Sequence, residues 1–254
     1  MARSIYYPFS LLQDPINYDA IPNNLTTPID LKDKVELGSQ IYRQRHPDYP
    51  EGIFFDTVKA HILRIVQVAE LLELPAKLES QRNDLVRMLY VHDLAEIQLS
   101  LKVGHDTSIV LKEDHRSLGE KIDLDEDRVA KQILNKSDYL LYYNFERAKD
   151  FFDGKLSPFE NENLISFIAK VIDIRDGEVG FYFYLTEWLK SSDFDGRLPT
   201  DRPYLFTMNR YEKYIKKLSE MSQIIDKEIV GVCLYLIHEQ ISLILGFWEL
   251  VKVE

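Results

Sequence analysis

Apolar residues recur at helical spacing along almost the whole chain after residue 37, and this periodicity constrains the fold more than any other feature. In the stretch from about Asp56 or Thr57 to Leu74, for example, Val58, Ile62 and Ile65 fall on one face of a helix. Strand-type alternation of apolar and polar residues is nearly absent. The sequence therefore predicts an all-α protein.

The predicted helices follow one another with short polar connections. They span about Leu37–Arg45, Asp56 or Thr57–Leu74, Gln81–Leu99, Arg116–Asn135, Ser137–Gly154, Asn161–Lys190, Phe206–Ile225 and Lys227–Lys252. Residues 1–36 are rich in Pro, Asn, Tyr and Asp, which predicts an irregular N-terminal arm. We expect one helical domain over 37–195 and a C-terminal helical extension over 196–254, packed on the same body.

The charge balance and the cysteine content exclude several classes of protein. Asp and Glu number 42 against 31 Lys and Arg, which argues against a partner that is a nucleic-acid polymer. The single cysteine, Cys233, allows no internal disulfide and fits a reducing compartment. The most apolar stretch, near the C-terminus, is interrupted by His238, Glu239 and Gln240. We therefore expect a cytoplasmic protein that is not in a membrane.

Several ionisable residues stand where the helical pattern calls for apolar side chains. His61 lies on the apolar face of its helix, and His92 and Asp93 interrupt the apolar stretch LVRMLYVHDLAEI, with Glu96 one turn beyond His92. Asp173 lies in the apolar segment FIAKVIDIRDG. Because burying unpaired charge costs several kcal/mol, something must compensate these groups.

A divalent metal ion would supply that compensation. Two His and two Asp form a nitrogen and oxygen ligand set that suits Mn, Co, Ni, Mg, Fe or Zn. Small residues one and two turns from Asp173, namely Ala169, Gly177 and Gly180, would leave room for an ion or a neighbouring helix. Alternatives are an ordinary core histidine or an internal salt-bridge network, and a second His-Asp pair, at residues 105 and 106, shows that the dipeptide alone is weak.

The segments TVKAHILRIVQVAELL, LVRMLYVHDLAEI and FIAKVIDIRDG resemble the HD-domain superfamily of metal-dependent phosphohydrolases, an all-α fold with the pattern H…HD…D. The resemblance covers about residues 40 to 190 and implies that His61, His92, Asp93 and Asp173 are the metal ligands. The motif HDLAE is similar to the 5′-deoxynucleotidase branch, which implies a catalytic role for Glu96 beside Asp93.

What the resemblance implies is a phosphohydrolase that removes phosphate from a small phosphorylated metabolite, in particular a (deoxy)nucleoside monophosphate. Arg43, Arg45 and Arg64 are the predicted phosphate contacts, since phosphate needs positive charge besides the metal. Ala60 stands where the family usually has Glu, which keeps open a second reading, a catalytically weak HD-fold module that binds nucleotides or regulates. A homodimer is possible.

Overall fold

The protein is described here from a computed structural model, which covers residues 27–41, 57–103, 126–157, 163–189, 202–223 and 225–252. These ranges contain helices and no strand, so the all-α prediction is confirmed. The helices are α1 (Lys32–Leu37), α2 (Val58–Leu71), α3 (Arg82–Val91), α4 (Leu94–Val103), α5 (126–133), α6 (Lys136–Phe152), α7 (Ile165–Leu189), α8 (Arg202–Met221) and α9 (Lys227–Lys252).

The first described helix lies earlier than predicted, because α1 ends at Leu37, where the predicted helix was to begin. A short 3₁₀ turn over Gly38–Gln40 follows, and Ile41 is extended. The chain passes very close to α2 at this point: a Cβ added to Gly38 would lie 2.9 Å from the amide nitrogen of Lys59. A larger residue at this position would force the backbone to shift, so the close approach favours glycine. Residues 42–45 of the predicted helix lie outside the described residues.

Both ends of α2 are fixed by side chains. Thr57, rather than Asp56, caps the N-terminus, since its hydroxyl accepts from the amide of Ala60 at 3.1 Å. The helix ends at Leu71, three residues before the predicted end. There Arg82 donates to the carbonyl oxygens of Ala69 and Leu72, at 2.6 and 2.8 Å, and so satisfies C-terminal carbonyls that have no partner within the helix.

The predicted single helix over residues 81–99 is broken into α3 and α4 at His92 and Asp93. His92 Nδ1 donates to the carbonyl oxygen of Leu89 at 2.8 Å. In a continuous helix that oxygen would accept from the amide of Asp93, so the histidine side chain competes with the helical hydrogen bond. The break therefore occurs at the dipeptide whose polarity was unexpected in this stretch.

The long helix α7 lies at the centre of the packing. It contacts α2, α3 and α6, and α9 packs along it, while α8 packs mainly against α9. Apolar residues of α7 such as Phe167, Ile168 and Ile172 are fully buried. This arrangement brings α2, the α3–α4 break and α7 together, although they are far apart in the sequence.

Among the described helices, α9 is apolar and long enough over Lys227–Gly246 to cross a membrane by length and composition alone. The core helix of a soluble protein passes the same test. In this structure Cys233, Leu236 and Ile237 of α9 are fully buried. Helix α9 therefore serves here as a packing partner of α7.

Candidate metal centre

Three parts of the fold direct imidazole and carboxylate groups to a common point. His61 comes from α2, His92 from the break between α3 and α4, and Asp173 from α7. One ligand atom from each of these buried residues lies within 4.8 Å of the others. The structure thus contains a buried His61–His92–Asp173 group that can hold a metal ion.

Three of five distances between the ligand atoms fit a single small ion, whereas His61 Nε2 to Asp93 Oδ2 and His92 Nε2 to Asp173 Oδ1 are longer, at 3.6 and 3.8 Å. The two Nε2 atoms of His61 and His92 are 3.4 Å apart, and His61 Nε2 is 3.2 Å from Asp173 Oδ1. Asp93 joins the group, because its Oδ2 lies 3.1 Å from His92 Nε2 and 3.6 Å from His61 Nε2. An ion with bonds of about 2.1 Å has neighbouring ligands roughly 3.0–3.4 Å apart.

In both histidines, Nδ1 points away from the cluster and donates a hydrogen bond to an acceptor. His92 Nδ1 donates to the carbonyl oxygen of Leu89 at 2.8 Å, and His61 Nδ1 donates to Asp176 Oδ2 at 2.7 Å. Histidine ligands in metalloproteins commonly have this second partner, which fixes the tautomer. In each ring Nε2 is therefore the nitrogen that faces the cluster.

The two facing Nε2 atoms indicate whether a cation suits the cluster. When both rings are neutral and carry their proton on Nδ1, the two facing Nε2 atoms are both acceptors, with no proton between them. A cation would accept both lone pairs and would also balance the nearby carboxylates. The donor set therefore fits a divalent ion, as the sequence predicts, and the identity of the ion is open.

Asp176 is a buried carboxylate behind His61, and Arg64 binds both of its oxygens. Arg64 Nε donates to Oδ1 and Nη2 donates to Oδ2, each at 2.8 Å. Burial raises the pKa of Asp176, but Arg64 outweighs burial and brings the pKa well below its usual value. Asp176 is thus an ionised acceptor.

Lys170 lies on the other side of Asp173. Its ammonium donates to Asp173 Oδ2 at 2.6 Å and lies 4.8 Å from the centre of the Phe145 ring. The same ring packs against His92 with 4.8 Å between ring centres. Burial raises the pKa of Asp173, but Lys170 and His61 bring it well below its ordinary value. The carboxylate is therefore ionised beside the two histidines.

The cluster is short of positive charge. Burial lowers the pKa of His92, but Asp93 and then Asp173 outweigh burial and raise it above the ordinary histidine value. Three carboxylates, from Asp93, Asp173 and Asp176, face two cations, Lys170 and Arg64. With neutral histidines this group carries one net negative charge, so it attracts a cation.

The other predicted site residues differ in where they lie relative to the cluster. Glu96 is half-buried in the first turn of α4, one turn beyond Asp93. Arg64, a predicted phosphate contact, is buried and bound to Asp176. Arg43 and Arg45 lie outside the described residues. An added Cβ on Gly177 would meet no atom of the described residues within 4 Å, so the small size of this residue is not needed for packing against them.

Sequence reasoning missed Lys170 and Asp176. Each is three residues from Asp173, on the same side of α7, and this spacing is the signal that could have found them. Arg175, also on α7, is buried and bound by Glu239 of α9 through two hydrogen bonds of 3.0 and 3.1 Å.

Searches among protein-family models, curated protein sequences and solved structures gave no match to this chain. The likeness to the HD-domain superfamily therefore stays a prediction from the sequence motifs.

Proposed function

We propose that this chain is a divergent HD-type, metal-dependent phosphohydrolase that acts on a small phosphorylated molecule, with (deoxy)nucleoside monophosphates as the preferred class. One observation carries the proposal: His61, His92, Asp93 and Asp173 converge on one point from three separate segments. The order and identity of these residues are those that the motif resemblance implies for metal ligands.

A divalent ion at such a site supplies Lewis acidity, which acidifies water and neutralises the charge on a phosphoryl group. The protein residues would hold and orient the reacting groups. Asp93 and Asp173 have the more exposed side chains of the ligand set, at 13 and 11% against 2% or less for the histidines, so substrate would approach from their side. Glu96, on the segment that carries Asp93, would accept the proton of the attacking water.

Lys170 is the cation that we propose for the phosphate contact. It lies beside Asp173 and is partly exposed, whereas Arg64 lies on the closed side of His61. An ammonium near the reacting phosphoryl would stabilise the negative charge of the transition state. Arg43 and Arg45 stay predictions for additional contacts.

A phosphate-release screen tests the reaction. Purified protein is assayed with nucleoside monophosphates and sugar phosphates, in the presence of Mn²⁺, Co²⁺, Ni²⁺ or Mg²⁺. We expect release that depends on the ion and that falls to background in His92→Ala and Asp93→Ala, while far-ultraviolet circular dichroism shows retained helix. His238→Ala is the matched control, because His238 is exposed on α9, and its activity should equal that of the wild type. Unchanged hydrolysis in both cluster variants would reject the site.

The second candidate is a nucleotide-binding or regulatory module without turnover. It is favoured by Ala60, which is buried next to His61 and supplies no carboxylate at a position where HD proteins usually have Glu. Saturable binding of a nucleoside monophosphate by the metal-loaded protein, without phosphate release, would support this candidate over the enzyme.

A further inference from the structure

We propose that Asp176 and Arg64 are a positioning pair, which holds His61 so that Nε2 rather than Nδ1 faces the cluster. The pair would act through His61 and would not touch substrate. The consequence for metal binding rests on the proposed function, but the effect on the histidine ring does not.

The pair arises from matching spacings on two packed helices. His61 and Arg64 are three residues apart on α2, and Asp173 and Asp176 are three residues apart on α7, so each couple shares one helix face. The imidazole of His61 lies between the two carboxylates. Its Nε2 is 3.2 Å from Asp173 Oδ1, and its Nδ1 is 2.7 Å from Asp176 Oδ2.

The contact with Asp176 requires His61 Nδ1 to be a hydrogen-bond donor. Arg64 donates to both oxygens of Asp176, so this carboxylate is ionised and can only accept from His61. The proton of the 2.7 Å hydrogen bond therefore belongs to Nδ1. His61, Arg64 and Asp176 are all buried, so water does not compete for these hydrogen bonds.

The two histidines depend on different supports. The backbone carbonyl of Leu89 accepts from His92 Nδ1, and a carbonyl is present whatever side chain stands there. His61 has side-chain support alone at Nδ1, which makes its orientation sensitive to substitution at Asp176. This difference predicts that a change at Asp176 alters His61 and leaves the ring of His92 in place.

A second buried arginine, on the helix that carries Asp176, supplies a matched control. Arg175 of α7 is bound by Glu239 through two hydrogen bonds of 3.0 and 3.1 Å, much as Arg64 is bound by Asp176. Neither residue of this pair contacts His61 among the interactions that the described residues show. Glu239→Gln therefore removes one carboxylate charge from a comparable pair without touching the cluster.

The first experiment uses metal-free, chelator-treated protein with ¹⁵N-labelled histidine. In the wild type and in Glu239→Gln, we expect nuclear magnetic resonance to show a slowly exchanging proton on His61 Nδ1. In Asp176→Asn that proton should be lost or should exchange rapidly, while the His92 Nδ1 proton stays. A His61 Nδ1 proton that is equally protected in Asp176→Asn would overturn the proposal.

The second experiment measures Mn²⁺ or Co²⁺ affinity by calorimetry. We expect Asp176→Asn to bind the ion about 10- to 100-fold more weakly than the wild type, the range usual for partners of ligand histidines. Glu239→Gln should bind as the wild type does, and equal weakening in both variants would overturn the proposal. If Asp176→Asn does not fold, Arg64→Lys keeps the positive charge and should show a smaller change in the same direction. A wild type that binds no ion would reject the proposed function, while the histidine spectra would still decide the positioning.

Discussion

The two sides of the His-Asp cluster differ in what they can do. On the inner side, His61, Arg64 and Asp176 expose 0, 6 and 4% of their side chains, and their hydrogen bonds are directed at one another. On the outer side, Asp93, Asp173 and Lys170 expose 13, 11 and 14%. The inner side can hold a ring in place, whereas the side chains of the outer side are the more exposed. A charged residue near such a site can therefore support a ligand or contact a substrate, depending on the side of the cluster on which it lies.

The largest difference between the two sides is expected in the stability of variants that lose a charged residue. Asp176→Ala breaks the buried ion pair between Asp176 and Arg64, so we expect a loss of about 3–5 kcal/mol in the free energy of unfolding. Lys170→Ala, on the outer side, should cost less, because the side chains of its ion pair with Asp173 are 14 and 11% exposed, against 6 and 4% for Arg64 and Asp176. Urea unfolding followed by circular dichroism measures the free energy of unfolding of both variants. Equal losses would contradict the difference between the two sides.

A smaller effect is expected for anion binding on the outer side. Lys170→Gln removes a charge-assisted hydrogen bond, which is worth about 1.5–3 kcal/mol, so inorganic phosphate should bind the Mn²⁺-loaded protein about 10- to 100-fold more weakly. Lys170→Arg keeps the charge and should restore most of the affinity. Calorimetry with phosphate gives the values, and undiminished binding by Lys170→Gln would remove Lys170 from the phosphate contact.

The smallest effect is expected for substitution of Phe145, whose ring contacts both His92 and Lys170. Phe145→Leu loses the contacts with His92 and Lys170, so stability should fall by roughly 1 kcal/mol and phosphate affinity should fall slightly. Phe151→Leu is the control on the same helix, since Phe151 packs against Phe152 and Phe167. It should lower stability similarly without changing phosphate affinity, and the same affinity loss in both variants would contradict a specific role for Phe145.

The sequence was sufficient to predict the helices whose apolar pattern is long and regular. Helix α9 matches its predicted bounds of Lys227–Lys252, and α7 differs from its prediction by a few residues at its start. The predictions failed where tertiary contacts matter: the helix ends at Leu37, and Gly38 then lies too close to the backbone of Lys59 for a Cβ to fit without a shift. A pattern of apolar residues contains no information about such an approach.

The polar residues of the cluster could be predicted as exceptions to the apolar pattern, but their partners could not. His61, His92 and Asp173 were recognisable because each occupies a buried helix face. Asp176 and Lys170 resemble ordinary charged residues until the packing of α2, α6 and α7 places them on opposite sides of the ligand group. Arg64 was given a substrate contact for the same reason, since sequence alone does not reveal that its guanidinium is bound to Asp176.

The central claim is that the cluster holds a divalent ion, and metal content measures it most directly. Wild-type protein is loaded with Mn²⁺ or Co²⁺, passed through gel filtration and analysed by mass spectrometry for the ion, beside His61→Ala, His92→Ala and the surface control His238→Ala. We predict one retained ion per chain in the wild type and in His238→Ala, and none in the two cluster variants with their helix content intact. A wild type without retained ion, or cluster variants that retain as much as the wild type, would contradict the account.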